Sequence, residues 1–178
     1  MSTRTLMTVA DFERLPDDGN EHELDEGELV VMRPPMLRHG RIQTRVARLL
    51  GNFAEERRLG EVATECGFRL SDDTVRGPDV VFLRQERMAL MDLDHYSTVA
   101  PDLVVEILSP SVNARQFNRK IGQYLKSGTH TIWVLDPDSE TVNVYQREGA
   151  FRMLGPDDTI DAPELLPGFS ASVRSLFE

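Results

Sequence analysis

The fold is decided by residues 101–110, which read PDLVVEILSP. Prolines bound an apolar run that is interrupted only by Glu106. Such nearly continuous apolar character predicts a central strand that is covered on both faces. An ionised carboxylate inside that strand is unfavourable unless it is paired or binds a metal ion, so Glu106 is also a candidate functional residue.

Working outward from this strand, the sequence predicts a long helix on either side of it. The first helix, residues 39–58, has apolar residues at helical spacing, among them Ile42, Val46 and Leu50. The second, residues 111–128, has Ser111 as its candidate N-cap and buries Phe117, Ile121, Tyr124 and Leu125. Gly60 and Gly128 stand where helices commonly end.

Further extended segments complete the predicted sheet. A short helix after Thr8 precedes a hairpin whose turn is Asp25-Glu26-Gly27. Strands are predicted at residues 21–24, 28–32, 61–70, 79–83, 131–135, 142–145 and 151–154. The order predicts a single domain over residues 1–178, of the α/β (α+β) class, with a central mixed β-sheet flanked by helices.

Composition limits the possible functions. Of 178 residues, 40% are hydrophobic and 28% are charged, which is ordinary for a globular domain. No apolar run approaches the roughly 18 residues of a membrane span, and residues 1–7 are too short and polar for a secretory signal. We therefore expect a cytoplasmic protein that has no membrane association. The net charge of −10 disfavours tight non-specific binding to nucleic acid.

The single cysteine, Cys66, cannot form an intramolecular disulfide, which fits a reducing compartment. No activating base for its thiol is evident in the sequence. It falls within the predicted strand at 61–70, so we expect it to be a buried core residue.

Two acids on neighbouring strands could share one cation. Asp79 opens a strand after Gly77-Pro78, and Glu106 lies inside the central strand. Mg²⁺ prefers oxygen ligands and keeps several waters, so Asp79, Glu106 and the backbone carbonyl of Ile107 form a candidate metal site. Alternatively, Asp79 is only a strand-start residue and an arginine across the sheet satisfies Glu106.

Lys120 falls at the border of the buried stripe on the second helix, between Phe117 and Tyr124. Its stem could run along apolar surface and bring the ammonium to the acids, where it would stabilise charge on a phosphate. The alternative is a surface lysine with only its stem covered.

Basic residues share one face of the first helix: Arg38, Arg41, Arg45 and Arg48. They form either a solvated flank or a stripe that contacts phosphates. His39 could reach a phosphate as well, although a histidine at a helix start is more often structural.

The motifs together resemble the Uma-type putative restriction endonuclease family, formerly a domain of unknown function, of the PD-(D/E)XK nuclease superfamily. The resemblance rests on residues 77–79 (GPD), 101–111 (PDLVVEILSPS), the Lys120-x-x-x-Tyr124 spacing, Gly128 and residues 133–137 (WVLDP). The segment 23–32 (ELDEGELVVM), Pro34-Pro35 and His39 resemble the N-terminal part of the family. The resemblance implies a restriction-endonuclease-like fold.

The resemblance also implies residue roles. The superfamily's acids correspond to Asp79 and Glu106, and Leu108 stands where its lysine usually lies, so Lys120 is the displaced equivalent. Glu23 corresponds to an additional acid that contributes to the metal site directly or through water; a solvated acidic hairpin is the simpler reading. The implied cofactor is Mg²⁺ or Mn²⁺.

Three functions are consistent with these features. The first is a metal-dependent endonuclease that hydrolyses DNA phosphodiester bonds, expected to act as a homodimer because duplex cleavage needs two sites. The second is a non-catalytic nuclease-fold module that binds nucleic acid or a protein partner, which the charge and Leu108 favour. A hydrolase of small phosphoesters is third, since no glycine-rich phosphate loop is present.

Overall fold

The computed structural model describes residues 6–110 and 113–178. The helices are α1 (Val9–Phe12), α2 (Leu37–Arg57), α3 (Gln85–Met88) and α4 (Ala114–Ser127), and a 3₁₀ helix spans Arg174–Leu176. The strands are β1 (His22–Asp25), β2 (Glu28–Val31), β3 (Gly60–Thr64), β4 (Phe68–Ser71), β5 (Thr74–Arg76), β6 (Val80–Arg84), β7 (Leu103–Ile107), β8 (Thr131–Asp136), β9 (Thr141–Gln146), β10 (Phe151–Leu154), β11 (Thr159–Asp161) and β12 (Ser170–Ser172).

The large sheet has six strands in the order β10-β9-β8-β7-β6-β3. Only β7 and β8 pair in parallel, so the sheet is mixed. All five residues of β7 are buried, as its apolar sequence predicts. The predicted fold class, a central mixed sheet with flanking helices, is confirmed.

The two faces of this sheet carry separate cores, because successive side chains of a strand point to opposite sides. On one face α2 packs Ile42, Val46 and Leu50 against β7 and β8 and against the C-terminal segment. On the other face α4 packs Ile121 and Tyr124 against the alternate residues of the same strands. Glu106 therefore faces α4.

A second sheet of four antiparallel strands, in the order β2-β1-β5-β4, forms beside the large one. It contains the predicted hairpin, in which β1 pairs with β2 from His22↔Val31 to Asp25↔Glu28. α1 packs Val9 and Phe12 against this sheet. β11 and β12 form a separate two-stranded sheet.

The helix termini follow local rules. Thr8 and Asp11 form the expected reciprocal capping pair at the start of α1. The side chain of Asn113 caps α4. Ser111, the predicted N-cap, lies outside the described residues. Gly128 ends α4 with φ 110°, a left-handed conformation that suits glycine.

The predicted strand at residues 61–70 is wrong in one respect: it is two strands that belong to different sheets. β3 ends at Thr64, and Glu65 turns the chain with φ 56° before β4 begins at Phe68. Cys66 lies in this connection and is exposed, so the expectation that it is buried is also wrong. Across residues 6–110 and 113–178, no helix has the length and apolar character needed to cross a membrane.

Candidate active site

Asp79 and Glu106 face each other across two paired strands. β6 and β7 are antiparallel, with Val80 opposite Val105 and Val81 opposite Val104. One step further along this register, Asp79 stands opposite Glu106. Side chains at directly opposed positions lie on the same face with their Cβ atoms about 4.5–5.5 Å apart. The core register of the sheet thus brings the two predicted acids together.

Glu106 is buried and accepts hydrogen bonds from two residues of α4. The Tyr124 hydroxyl donates to Oε1 at 2.7 Å. The Lys120 Nζ lies 2.9 Å from Oε1 and 3.0 Å from Oε2. Burial raises the pKa of Glu106 to about 7; Lys120 opposes this, and the charges of Asp79 and Glu23 add to it. A further cation beside Glu106 would therefore favour its ionised form.

Lys120 is a half-buried member of this cluster, with 13% of its side chain exposed, and is not a lysine with only its stem covered. Besides Glu106, its Nζ contacts the Oε1 of Glu23 at 3.1 Å. Burial alone would lower the pKa of Lys120, but the charges of Glu106 and Glu23 raise it above its ordinary value. Lys120 is therefore a permanent cation near neutral pH.

Glu23 is also buried, so the reading of a solvated acidic hairpin is wrong for this residue. Its Oε2 accepts from the Arg76 side chain at 2.8 Å, and its Oε1 accepts from the backbone N–H of Gly77 at 3.0 Å. Burial alone would raise the pKa of Glu23, but Lys120 and Arg76 hold it below its ordinary value.

Asp79 has a different set of partners. Its Oδ2 accepts from the backbone N–H of Ile107 at 2.6 Å and lies 3.3 Å from Nε2 of His39. The hydrogen bond to Asp79 raises the pKa of His39, and the nearby carbonyl of Ile107 adds to this. Within the described residues, Oδ1 accepts no hydrogen bond and no lysine or arginine pairs with Asp79. This carboxylate keeps lone pairs free for a ligand.

His39 and Gln43 project from α2 toward the end of β6. The amide of Gln43 donates to the backbone carbonyl of Asp79 and to Glu65, both at 3.0 Å. These two residues fix the position of Asp79 from the helix side. The Gly77-Pro78 segment, which precedes Asp79, fixes its position as well. The backbone N–H of Gly77 donates to the Glu23 side chain, and the backbone carbonyl of Pro78 accepts from the N–H of Glu65.

The cluster opens into a groove of about 1840 Å³ that lies between the two larger sheets. Asp79, Glu106, Ile107, Lys120 and His39 line it. Additional acids line its outer parts, including Asp17, Asp18, Glu65 and Asp92. The groove can take a large ligand, but its walls are acidic.

The arginines of α2 differ in their surroundings. Arg38 lines the groove, where it donates to the Asp138 carboxylate at 2.8 Å and to the backbone carbonyl of Pro137. Arg41 and Arg48 are exposed and Arg45 is half-buried. No ion pair joins these three to any acid in the part of the chain that the structure describes. They lie along the outer surface of α2, outside the lining of the groove.

The donor set suits one hard divalent cation held by few protein ligands. Among residues 6–110 and 113–178, no group of three or more His, Cys, Asp and Glu side chains is arranged to hold a metal ion. Mg²⁺ commonly binds through one or two carboxylates and keeps its waters. The carboxylates of Asp79 and Glu106, with the Ile107 carbonyl, match that requirement.

Sequence reasoning assigned no site role to Tyr124 or Arg76 and left that of His39 open. Tyr124 was recognisable only as part of the Lys120-x-x-x-Tyr124 spacing, one helical turn beyond the lysine. Arg76 lies 53 residues from Glu23, so no local pattern could pair them. His39 had a weak signal, since it begins the apolar face of α2.

Comparison with known proteins agrees with the fold. The family model Uma2, described as "Putative restriction endonuclease", matches residues 9–174. The crystal structure of a protein from Anabaena variabilis ATCC 29413, described as "a putative nuclease belonging to DUF820", is similar with a TM-score of 0.83. The two chains are 25% identical, over 96% of this chain and 97% of that one. None of the curated proteins compared matches this chain.

Proposed function

This chain belongs to the Uma2 family, described as putative restriction endonucleases, and we propose that it is a Mg²⁺-dependent endonuclease that hydrolyses DNA phosphodiester bonds. The family and the related solved structure support a nuclease role. The observation that carries the proposal is the opposed pair Asp79 and Glu106 with the Lys120 ammonium beside it. We infer from it a PD-(D/E)XK-type site in which the lysine comes from a helix.

Asp79, Glu106 and the Ile107 carbonyl would hold Mg²⁺ or Mn²⁺. When bound, the ion supplies an activated water and neutralises charge on the phosphate. Asp79 is prepared for this role because Ile107 and His39 fix its Oδ2 while Oδ1 stays free of the described residues. Glu106 is prepared because Tyr124 and Lys120 orient it.

Lys120 contributes as a donor of hydrogen bonds and positive charge. Its pKa is raised by Glu106 and Glu23, so it keeps its proton near neutral pH and does not serve as a general base. A fixed ammonium beside the scissile phosphate stabilises the negative charge that develops there. It also orients Glu106.

Contacts to the DNA backbone are the proposed role of the arginines on α2. Arg41, Arg45 and Arg48 have no acidic partner among the described residues, although the sequence has 30 acids against 20 Lys and Arg residues. Arg38 is a weaker candidate because Asp138 pairs with it. The acidic groove means that few phosphates are neutralised, so we expect modest, salt-sensitive affinity.

The test is cleavage of plasmid and oligonucleotide DNA with Mg²⁺ or Mn²⁺. We expect cutting by the wild type, and loss of at least about a hundredfold in rate for Asp79→Asn and for Glu106→Gln, since each removes a ligand and a charge. The matched control is Asp138→Asn, which removes an acid from the groove wall outside the cluster. Equal cutting by the double variant would disprove the assignment.

The alternative function is a non-catalytic module that binds nucleic acid or a protein partner. The acidic groove and Leu108, in place of the usual lysine, favour it. Isothermal titration with MgCl₂ distinguishes the endonuclease from the non-catalytic module. Absence of both Mg²⁺ binding and DNA cleavage would identify the protein as the non-catalytic module.

A further inference from the structure

Glu23 has two cationic partners, the Arg76 guanidinium and the Lys120 ammonium, whereas Glu106 has Lys120 alone among the described residues. The Oε2 of Glu23 is occupied by Arg76, and its Oε1 receives both the Gly77 N–H and the Lys120 ammonium. Only 4% of the residue is exposed. Both of its oxygens are therefore occupied by protein donors, whereas Asp79 keeps Oδ1 free of the described residues.

Arg76, on β5 of the small sheet, holds the carboxylate of Glu23 on the neighbouring strand β1. Its side chain is 5% exposed, and its NH1 lies 2.8 Å from Glu23 and its NH2 2.5 Å from Asp25. Its Nε donates to Gln123 of α4 at 2.9 Å. The guanidinium thus joins β1, β5 and α4 at one point, and Glu23 cannot swing away without breaking this junction.

Lys120 needs such an anchor because of where it stands. Its backbone belongs to α4, fourteen residues from Glu106, and its stem is flexible. The ammonium contacts both oxygens of Glu106, at 2.9 and 3.0 Å, so a metal ion that took these oxygens would leave it without a partner if Glu106 were its only one. Glu23 offers a second negative oxygen 3.1 Å away, on the side toward the small sheet.

We propose that Glu23 is a positioning residue that holds the Lys120 ammonium beside Glu106, that it does not bind the metal ion, and that Arg76 in turn fixes Glu23. The role of the lysine rests on the proposed function. Glu23 is kept from the ion by its own partners, since both of its oxygens accept from protein donors.

The first test observes Lys120 directly. The sequence has only two lysines, the half-buried Lys120 and the exposed Lys126, so lysine labelled with ¹³C and ¹⁵N gives one NMR signal for each. We expect the ammonium hydrogens of Lys120 to exchange slowly in the wild type. In Glu23→Gln they should exchange about tenfold faster, because a charge-assisted hydrogen bond is removed. The Lys126 signal should not change.

The matched control is Glu26→Gln, which removes an acid from the same hairpin that contacts Arg119 and Gln123 but not Lys120. It should leave the exchange of Lys120 as in the wild type. Slow exchange in folded Glu23→Gln would overturn the proposal. The folded state of each variant is checked by the dispersion of its amide spectrum.

A second measurement needs no variant. Adding Mg²⁺ to the wild type should leave Lys120 protected, because Glu23 still holds it when Glu106 turns to the ion. Loss of protection on adding Mg²⁺ would show that Glu23 leaves the lysine for the metal, and would overturn the proposal. The affinity of Glu23→Gln for Mn²⁺, measured by calorimetry, should stay within about threefold of the wild type, a change well under 1.4 kcal/mol.

Kinetics separate this role from a merely structural one. Glu23→Gln should lower kcat for DNA cleavage, and it should have no further effect in a Lys120→Ala background, since the residue acts through the lysine. Additive losses would overturn the proposal. If the wild type neither binds Mg²⁺ nor cuts DNA, the proposed function fails, while the exchange of Lys120 still reports whether Glu23 holds it.

Discussion

At the scale of single residues, Tyr124 is the neutral partner of Glu106. Its hydroxyl is buried with the carboxylate, and burial raises the pKa of Tyr124 well above its ordinary value. The phenol therefore keeps its proton, and remains a hydrogen-bond donor, near neutral pH. It complements Lys120 without adding charge to the site.

Removing this hydroxyl should be destabilising. We expect Tyr124→Phe to lower the free energy of unfolding by about 1–3 kcal/mol, because a buried acceptor loses its donor. Urea denaturation measures the change. Tyr145→Phe is the matched control, since the Tyr145 hydroxyl has no hydrogen bond to the described residues. Equal stability of both variants would contradict the assigned role of Tyr124.

Residue by residue, the sequence predicted the acids better than their partners. Asp79 and Glu106 were identifiable because each interrupts or opens an apolar strand. The burial of Glu23 was not, because its partner Arg76 is distant in sequence and the surrounding hairpin is rich in acids. A local pattern carries no information about a pair that only the fold brings together.

At the scale of elements, ion pairs join the small sheet to α4, in addition to the packing of Phe68 against that helix. Arg119 contacts Asp25 at 2.6 Å, and Lys120 contacts Glu23 at 3.1 Å. These pairs give stability that depends on pH. The pKa of Glu23 lies below its ordinary value of 4.5, because burial, which raises it, is outweighed by the positive charges of Lys120 and Arg76, which lower it.

The sign of this dependence follows from the lowered pKa. The folded state binds the proton of Glu23 less tightly than the unfolded state, so its contribution is fully present above pH 4.5 and is lost as the pH falls through the lower folded value. We expect Glu23→Gln to be less stable than the wild type by about 3 kcal/mol at pH 7. The difference should shrink below pH 4.5, as followed by denaturation at several pH values.

Glu26→Gln again serves as the control, because Glu26 is more than half exposed and its pairing with Arg119 is long, at 3.4 Å. Exposed pairs of this kind contribute roughly 0–1 kcal/mol. A difference between Glu23→Gln and the wild type that did not change with pH would rule out the charge pairing as its cause.

α2 carries the predicted contacts to DNA. Replacing Arg41, Arg45 and Arg48 together by Gln should weaken binding and reduce the slope of log K against log salt by about 3, because each arginine would neutralise one phosphate. Fluorescence anisotropy at several salt concentrations measures this. Arg147→Gln, at an exposed position outside α2, should leave the slope unchanged. An unaltered slope in the triple variant would show that the three arginines form a solvated flank and do not contact phosphates.

The helices and strands that have one uniform apolar pattern along their length were predicted well. The connection at which the chain passes from one sheet to the other was not. α2 follows from a long apolar periodicity, and β7 and β8 follow from nearly continuous apolar runs. The break at Glu65–Gly67 was missed because residues on both sides favour extended structure. What separates β3 from β4 is the choice of partner strand: β3 pairs with β6, and β4 pairs with β5.

At the scale of the whole molecule, one chain has one candidate site in its described part, whereas cutting a duplex needs two. We therefore expect a homodimer with two-fold symmetry as the active species. Sedimentation equilibrium of the free protein should give about twice the chain mass of 20.1 kDa, and the cleavage-deficient Asp79→Asn variant bound to duplex DNA should give that mass plus the mass of the duplex. A single chain per duplex, with only one strand nicked, would contradict this expectation.

The opposed positions of Asp79 and Glu106 have a consequence for chains that are still folding. A slip of β6 against β7 by one residue turns every side chain of the slipped strand to the other face of the sheet. It would drive the valines of the core toward the wrong side and separate the two carboxylates in the same step. The strand pairing that builds the core therefore also brings the two acids together. A chain in the wrong register lacks the paired acids of the proposed active site, so only correctly packed molecules can have that site.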